Sequence, residues 1–418
     1  MSANGKILVI GGGISGISAA ADAAELGCEV VLVEKEPYLG GRVIRMNQYF
    51  PKLCPPTCGM EINVRRIRQN PRIKVYTLSE VEKISGQAGD YTVTIRVNPR
   101  YVTGKQPVTQ AHLDAVATEV PNTFNYGMDK TKALFLPHDA AYPPLYVLKK
   151  DALTSEESQR LKNASPGGAI DLDMKDERIE VKVGAVIIAT GWRPYDAVRL
   201  DNLGFGRCVN VITNVMMERL AALSGPTAGK LLRPSDGKEP AKVAFVQCAG
   251  SRDENHLPYC SAVCCMGSLK QARYVREKVA DSKVTIFYID IRTIGRFEKF
   301  YYDLLEDPNI SFIKGKVAKI TEDPVTRNPI VEAEEVIPGK KLSEQFDMVV
   351  LATGIVPSIM DSPIAGVNLT CDSDGFLVDS PNGGGIFGAG CVKRPLDVSR
   401  SVKDATAAVM KAIQIVRR

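Results

Sequence analysis

Cysteine and glycine, by type and spacing, carry most of the chemistry that this sequence can do. Cys248, Cys260, Cys264 and Cys265 fall together as Cys-x11-Cys-x3-Cys-Cys in a chain of 418 residues with 10 cysteines. Four thiolates at this density can hold one cubane iron–sulfur cluster. Zinc sites usually use Cys-x2-Cys knuckles, and this stretch has none. Cys260 and Cys264 stand one helical turn apart, a spacing that predicts a shared helix face. Adjacent Cys264 and Cys265 are awkward on one cluster, so the spacing also predicts local backbone distortion. Buried free thiols are the bland alternative. Cys54-Pro-Pro-Thr-Cys58 forms a second pair, read as thiols that pack, sense redox state or exchange with a disulfide. Cys28, Cys208, Cys371 and Cys391 are scattered and read as small buried residues.

Phosphate chemistry is written at the start of the chain. Lys6-Ile-Leu-Val-Ile10 runs into Gly11-Gly-Gly-Ile-Ser-Gly16, an Ala-rich helix to about Gly27, then Glu29-Val-Val-Leu-Val33 and Glu34. Strand, glycine turn, helix, strand and terminal acid make one βαβ unit for a dinucleotide. Gly11 permits the tight turn, Gly13 lets the backbone approach a pyrophosphate, and Gly16 lets the helix pack close to the strand. The helix N-terminus offers N–H groups and positive dipole to phosphate. Glu34 is placed to accept hydrogen bonds from ribose hydroxyls.

The elements that must position these groups follow from the rest of the pattern. Leu39-Gly-Gly-Arg-Val43, with Gly41 and Arg42, resembles the second phosphate-contacting loop of flavoproteins with two dinucleotide domains. Val183–Gly191 and Asp347–Gly354 are strands ending in Ala-Thr-Gly, the first in Ala189-Thr190-Gly191. Gly384-Gly-Ile-Phe-Gly-Ala-Gly390 resembles the strand and loop that reach the flavin, although Cys391 stands where Asp is usual. A helix is expected from about Val398 to Val416, its N-terminus facing the isoalloxazine ring. Residues 97–180 are proline-rich and read as an insertion that packs against a partner, covers the flavin domain or elaborates the surface. It interrupts two segments, Tyr91–Val97 and Ile179–Val183, that could pair as strands. Ala241–Gln247 and Val284–Ile289 frame a second βαβ unit, but its turn carries cysteines where a pyridine-nucleotide site would carry glycines. A direct NAD(P)H site is therefore not expected.

The expected fold is α/β: two Rossmann-like dinucleotide-binding domains of the FAD/NAD(P)-linked reductase type, with the insertion in the first. The FAD-binding domain is expected over 1–96, 181–207 and 346–418, the cysteine-free insertion over 97–180, and the second, cluster-bearing domain over 208–345. A net charge of +5 with no basic block gives no reason to expect nucleic-acid binding. No apolar run reaches the roughly 18–20 residues of a membrane span, and Met1-Ser2-Ala3-Asn4 leads straight toward a strand without a signal-peptide pattern. The expectation is a cytoplasmic protein that meets the membrane through partners.

Cys248-Ala-Gly-Ser-Arg-Asp, Pro258-Tyr-Cys260-Ser, Val263-Cys-Cys-Met266, Lys270-Gln-Ala272, Asp290-Ile-Arg292 and Gly388-Ala-Gly-Cys391 together resemble the flavoprotein A subunits of heterodisulfide reductases, over nearly the whole chain. The Phe50–Cys58 segment and the lack of cysteines between Cys58 and Cys208 look most like the branch that serves quinone-linked membrane complexes of sulfate reducers. The resemblance implies FAD, a [4Fe–4S] cluster on Cys248, Cys260, Cys264 and Cys265, and electron exchange with other subunits. Those would be a second flavoprotein subunit of the same family and a haem- and iron–sulfur-bearing membrane subunit, linking menaquinone with adenylylsulfate reductase. It also implies flavin contacts from Gly11, Gly13, Ile14, Ser15, Gly16, Glu34, Lys35, Gly41, Arg42, Val43 and Val81. Ala189, Thr190, Gly191, Gly390, Cys391, Asp397, Val398 and Ser401 complete that set. Lys270 matches a family lysine near the flavin ring, where its charge would stabilise reduced, anionic flavin, and Glu218 is a second candidate there. A flavin beside a cluster exchanges electron pairs for single electrons. Two other functions stay open: a thiol–disulfide oxidoreductase using Cys54 and Cys58, for which His112, His138 and His256 supply no clear base, and a scaffold with structural FAD.

Overall fold

The computed structural model describes residues 5–50, 53–337, 339–361, 363–379 and 384–417. Met1–Asn4, ahead of the first strand, and Pro51 and Lys52, within the Phe50–Cys58 segment, lie outside the described residues.

Two parallel sheets organise the chain. In the first, Lys6–Ile10 is central, flanked by Glu29–Val33 and Ala185–Ile188, with Ile73–Tyr76 and Ile386–Gly388 outermost. Its inner strands are unbroken apolar runs, because helices and a second layer cover both faces. Helices Ile14–Glu25 and Val398–Val416 pack side by side on one face through Ala19, Ala20, Ala23, Ala405, Ala408 and Ala412. A three-stranded antiparallel sheet, Ser79–Gln87, Asp90–Val97 and Glu177–Val183, covers the other. Residues 98–176 leave and re-enter the fold between its last two strands. They have a small core around Val116, Leu134 and Leu161, and they press Phe124 and Ala141 into the core of the first domain.

The second sheet runs Val211–Thr213, Met348–Thr353, Lys242–Ala249, Lys283–Tyr288 and Ile310–Lys314, all parallel. Helix Cys264–Lys278 packs on one face of it, and the antiparallel strands Val317–Glu322, Pro329–Glu335 and Lys340–Gln345 lie on the other. The chain crosses between domains in a two-stranded ribbon, Trp192–Pro194 against Ile355–Pro357.

That ribbon corrects the domain boundaries read from the sequence. Met348–Thr353, expected to return the chain to the flavin domain, is the second strand of the second sheet. Tyr195, Ala197, Leu200 and Leu203, expected in the flavin domain, are part of the second domain's core. Strands buried on both faces look alike in sequence, and long-range pairing alone decides which sheet they join. Among the described residues, no helix is long and apolar enough to cross a membrane.

Candidate functional site

The glycine turn leaves the Lys6–Ile10 strand with Gly11 at φ +104°, where a side chain would run into the Ala189 carbonyl. A Cβ on Gly16 would collide with the Gly11 carbonyl oxygen and touch Val9, so this glycine lets the helix close on the turn as well as on the strand. Gly13 differs. A Cβ there would meet nothing closer than Gly41 Cα at 3.9 Å, and its face opens toward the cleft. Gly13 and Gly40 form a parallel bridge, which brings the Gly40-Gly41-Arg42 loop against the turn.

Glu34 is buried at 6% exposure. Its Oε2 accepts from Gly12 N at 2.6 Å and its Oε1 from Glu36 N at 2.7 Å. Burial pushes its carboxyl up to about 7, against those two amide hydrogen bonds. The acid thus braces the turn from below as well as facing the cleft.

A cleft of about 540 Å³ begins at this turn and runs between the two domains. Its wall includes Gly11, Gly13, Ile14, Ser15, Glu34, Lys35, Gly41, Arg42, Val43, Val81, Ala189, Thr190, Gly191, Cys391, Asp397, Val398 and Ser401. Gly16 and Gly390 of the expected set stand behind the wall. A Cβ on Gly390 would collide with Ser15 Oγ, so Gly390 acts by letting two segments touch. Asp397 caps the last helix by accepting from Arg400 N at 2.8 Å, which leaves the first turn of that helix facing the cleft. Cys391 lines the cleft as a neutral thiol: it donates to Leu396 O at 3.3 Å, and burial raises it.

The second domain closes the far wall with Asn214, Glu218, Ala262, Val263, Met266, Lys270 and Gln271. Lys270 is buried at 5% exposure, not an exposed helix lysine. Its Nζ pairs with Glu218 Oε1 at 2.9 Å and donates to Gln48 O at 2.5 Å. Glu218 also accepts from Asn47 N at 3.0 Å, Gln271 Nε2 at 2.7 Å and the Tyr274 hydroxyl at 3.3 Å. Burial first, then the Glu218 charge, raises the Tyr274 phenol. Gln271, Tyr274 and Asn214 are absent from the set expected from the sequence. A signal exists for Tyr274, because it stands four positions beyond Lys270 on the same helix.

Thr190 Oγ1 and Gln271 Oε1 are buried without a protein partner, and both residues line the cleft. Buried polar atoms need partners. Together with the Gly13–Gly41 cradle they fit a polyhydroxylated, phosphorylated ligand, which is what FAD is. When bound, FAD supplies reversible electron and hydride chemistry.

The four clustered cysteines meet where the second sheet gives way to its helix. The Lys242–Ala249 strand shifts register between Val246 and Ala249, and Cys248 takes φ +55°. Such a bulge re-aims a side chain. Cys264 and Cys265 open the Cys264–Lys278 helix, whereas Cys260 lies ahead of it in a non-helical segment and accepts from Ala262 N at 3.3 Å. The helix face expected to be shared by Cys260 and Cys264 therefore does not form. The distortion expected beside Cys264 falls instead at Cys248 and at Ala262, which has φ +60°. Ser261 Oγ accepts from Ile355 N at 2.9 Å and so anchors this loop to the interdomain ribbon.

Every pair among the four thiols lies within electrostatic reach. Burial first, then the neighbouring cysteines, pushes Cys248 up to about 11 and Cys264 well above the usual thiol range. Burial likewise raises Cys265. Thiols raised in this way, Cys248, Cys264 and Cys265, stay protonated unless a polycation binds them as thiolates. Among the described residues no group of three or more His, Cys, Asp or Glu side chains is placed to hold a single metal ion. Thiolates are the donors that iron–sulfur centres use.

Cys54 is half-buried and Cys58 exposed, at the start of helix Pro56–Gln69. Burial first, then the neighbouring Cys54 and Cys58, raises the Tyr49 phenol, Tyr49 N donates to Cys54 O at 3.3 Å, and Tyr49 also lines the cleft.

Residues 6–55 match the model of the FAD dependent oxidoreductase family. The fold matches the thioredoxin reductases of T. acidophilum (TM-score 0.54, 14% identity, 98% of this chain and 97% of that one) and of Lactococcus lactis (TM-score 0.53, 14% identity, 98% of each). Residues 6–55 thus carry the pattern of that family, and the whole chain shares the thioredoxin reductase fold. In sequence it is similar to the A subunits of heterodisulfide reductases. It is 38% identical over 420 residues to the second iron–sulfur A subunit of the CoB–CoM heterodisulfide reductase of Methanopyrus kandleri, covering 97% of this chain and 64% of that protein. It is 36% identical over 424 residues to the A subunit of the H2:CoB–CoM heterodisulfide,ferredoxin reductase of Methanothermobacter marburgensis, covering 99% and 64%. The chain thus spans less than two thirds of the length of these relatives.

Proposed function

We propose that this chain is a flavin- and cluster-bearing electron-transfer subunit, with FAD in the interdomain cleft and a [4Fe–4S] cluster on Cys248, Cys260, Cys264 and Cys265. One observation carries the reading. Helix Cys264–Lys278 begins with two of the four thiols, while Ala262, Val263, Met266 and Lys270 of the same stretch wall the flavin cleft. On this reading one rigid element holds both centres side by side. The thiols occupy the turn where a nicotinamide dinucleotide would bind, so electrons would arrive through the cluster or partner subunits instead of from NAD(P)H. The finer reading is the flavoprotein A subunit of the quinone-interacting membrane-bound oxidoreductase complex. There it would work with a second flavoprotein and a haem- and iron–sulfur-bearing membrane subunit, between menaquinone and adenylylsulfate reductase, on the inner face of the cytoplasmic membrane. The names of the relatives, iron–sulfur and reductase subunits, support the coarser reading, and the absence of cysteine between Cys58 and Cys208 is what favours this branch.

The test is a spectrum, with iron and flavin content, of the anaerobically purified chain. Flavin bands over a broad iron–sulfur shoulder are expected, with no rapid bleaching by NADH or NADPH. Catalytic-rate bleaching by either nucleotide would reverse the choice of donor. A second reading, thiol–disulfide exchange at Cys54 and Cys58, draws on the Tyr49 contact. It predicts that flavin reduction releases two titratable thiols in the wild type and none in Cys58→Ser.

A further inference from the structure

Three buried polar atoms beside the four thiols have no protein partner: both amide atoms of Gln247 and the hydroxyl of Ser268. Gln247 is 6% exposed and Ser268 1%. Their positions converge. Val243 and Phe245 pack against the helix residues Met266, Leu269 and Ala272, and Gln247 continues that alternating row to the end of the strand. The alternation assigns it to the helix side of the sheet, where its amide is buried without a partner. It directly precedes Cys248, at the point where the strand's register shifts. Ser268 lies on the same helix one turn beyond Cys264 and Cys265. Its hydroxyl does not take the i−4 carbonyl, the usual resort of a serine within a helix.

An unpaired buried amide or hydroxyl costs roughly 1–3 kcal/mol. One such group is an oddity, but two flanking one thiol set mark a missing acceptor. Cluster and thiolate sulfurs are acceptors, and hydrogen bonds to them stabilise the more negative, reduced cluster and so raise its potential.

We propose that the Gln247 carboxamide and the Ser268 hydroxyl donate hydrogen bonds to sulfur atoms of the cluster held by Cys248, Cys260, Cys264 and Cys265, and so set its reduction potential. The inference rests on the reading that these thiols hold a cluster. It assigns to Gln247 and Ser268 the role of tuning residues, separate from ligation. Neither side chain is needed to bind iron, and neither lines the flavin cleft.

The experiment uses the full chain purified without oxygen, as wild type, Gln247→Met, Ser268→Ala and the double variant. Met keeps the length of Gln and removes the donor, and Ala suits a helix interior. Iron, sulfide and FAD content are measured first. The cluster midpoint potential is then read by redox titration followed by electron paramagnetic resonance. All variants should keep wild-type iron and FAD, each single variant should titrate at a more negative potential, and the double variant should move furthest. Wild-type potential in every iron-replete variant would overturn the proposal while leaving the cluster reading intact. If Gln247→Met loses iron, Ser268→Ala alone decides the matter, since it removes one oxygen. A wild-type chain without iron, or iron kept in Cys264→Ala, would overturn the cluster reading and the proposal with it.

Discussion

At the residue scale, the structure separates glycines that shape the turn from the one that opens onto the cleft. Gly16 has the Gly11 carbonyl where a side chain would go, so Gly16→Val should disrupt the turn and lower the melting temperature of the chain even without flavin. Gly13 has open cleft beside it, so Gly13→Ala should fold normally yet retain far less FAD. Flavin content against melting temperature tells the two apart, and normal flavin in Gly13→Ala would count against the pyrophosphate cradle. Glu34 gives a pH-dependent prediction. Its folded-state value of about 7 lies above that of a free glutamate, so between about pH 4.5 and 7 the folded chain binds more protons than the unfolded one. Stability therefore falls as pH rises through that window and levels off above it, by an amount on the order of 3 kcal/mol. His138, held down to about 4 by burial, works in the opposite sense below pH 6.5. Comparison with Glu34→Gln isolates the acid. In thermal melts of flavin-depleted protein, the variant should gain on the wild type as pH rises from 5 to 8. A constant difference would show that Glu34 ionises normally.

At the element scale, helix Cys264–Lys278 is the component that joins the two proposed centres. Substituting Ala at Cys264 or Cys265 should abolish iron and leave FAD bound, because the glycine turn belongs to the other sheet. Cys54→Ala should leave iron near normal. Iron lost with Cys54→Ala but kept in Cys264→Ala would move the cluster to the first domain. What the sequence shows at this scale is local. The turn and Glu34 belong to one βαβ unit, so their spacing can be read directly. The start of the helix cannot. With the helix beginning at Cys264, Cys260 falls outside it, and the helical spacing of the pair loses its meaning. The Ala-Thr-Gly ending of strand Met348–Thr353 copies that of the strand before Gly191, and so points it to the wrong sheet. Glu218 is a weak candidate from sequence because its partners Asn47 and Gln271 are 171 and 53 residues away, a relation that only the folded chain displays.

At the scale of the whole molecule, the cleft is useful only while the two domains and the insertion keep their positions, and Arg219 ties all three. It is 1% exposed on helix Asn214–Ala221 of the second domain. Its Nε donates to Asn125 Oδ1 of the insertion at 2.7 Å, and Nη1 donates to Arg45 O of the flavin domain at 3.3 Å. Nη2 donates to Ser224 O at 2.7 Å, and the guanidinium lies 4.6 Å from the Phe124 ring centroid. Phe124 in turn packs into the core of the flavin domain. The Lys270–Glu218 group makes a second crossing, through Asn47 N and Gln48 O. Burial lowers Arg219 from the usual arginine range, yet its charge is spread over carbonyl and amide oxygens that would be stranded without it. Arg219→Leu keeps apolar bulk and leaves Asn125 Oδ1, Arg45 O and Ser224 O short of a donor. The expected cost is about 3 kcal/mol, since hydrogen bonds to a charged group count for roughly 1.5–3 kcal/mol and the losses are not additive. That cost falls on the interface, so cooperativity should suffer along with stability. Calorimetry should show one transition for the wild type and two for Arg219→Leu, with FAD lost at the lower one. A single transition at the wild-type temperature, with flavin retained, would show that the ribbon and the Lys270–Glu218 crossing hold the domains without Arg219.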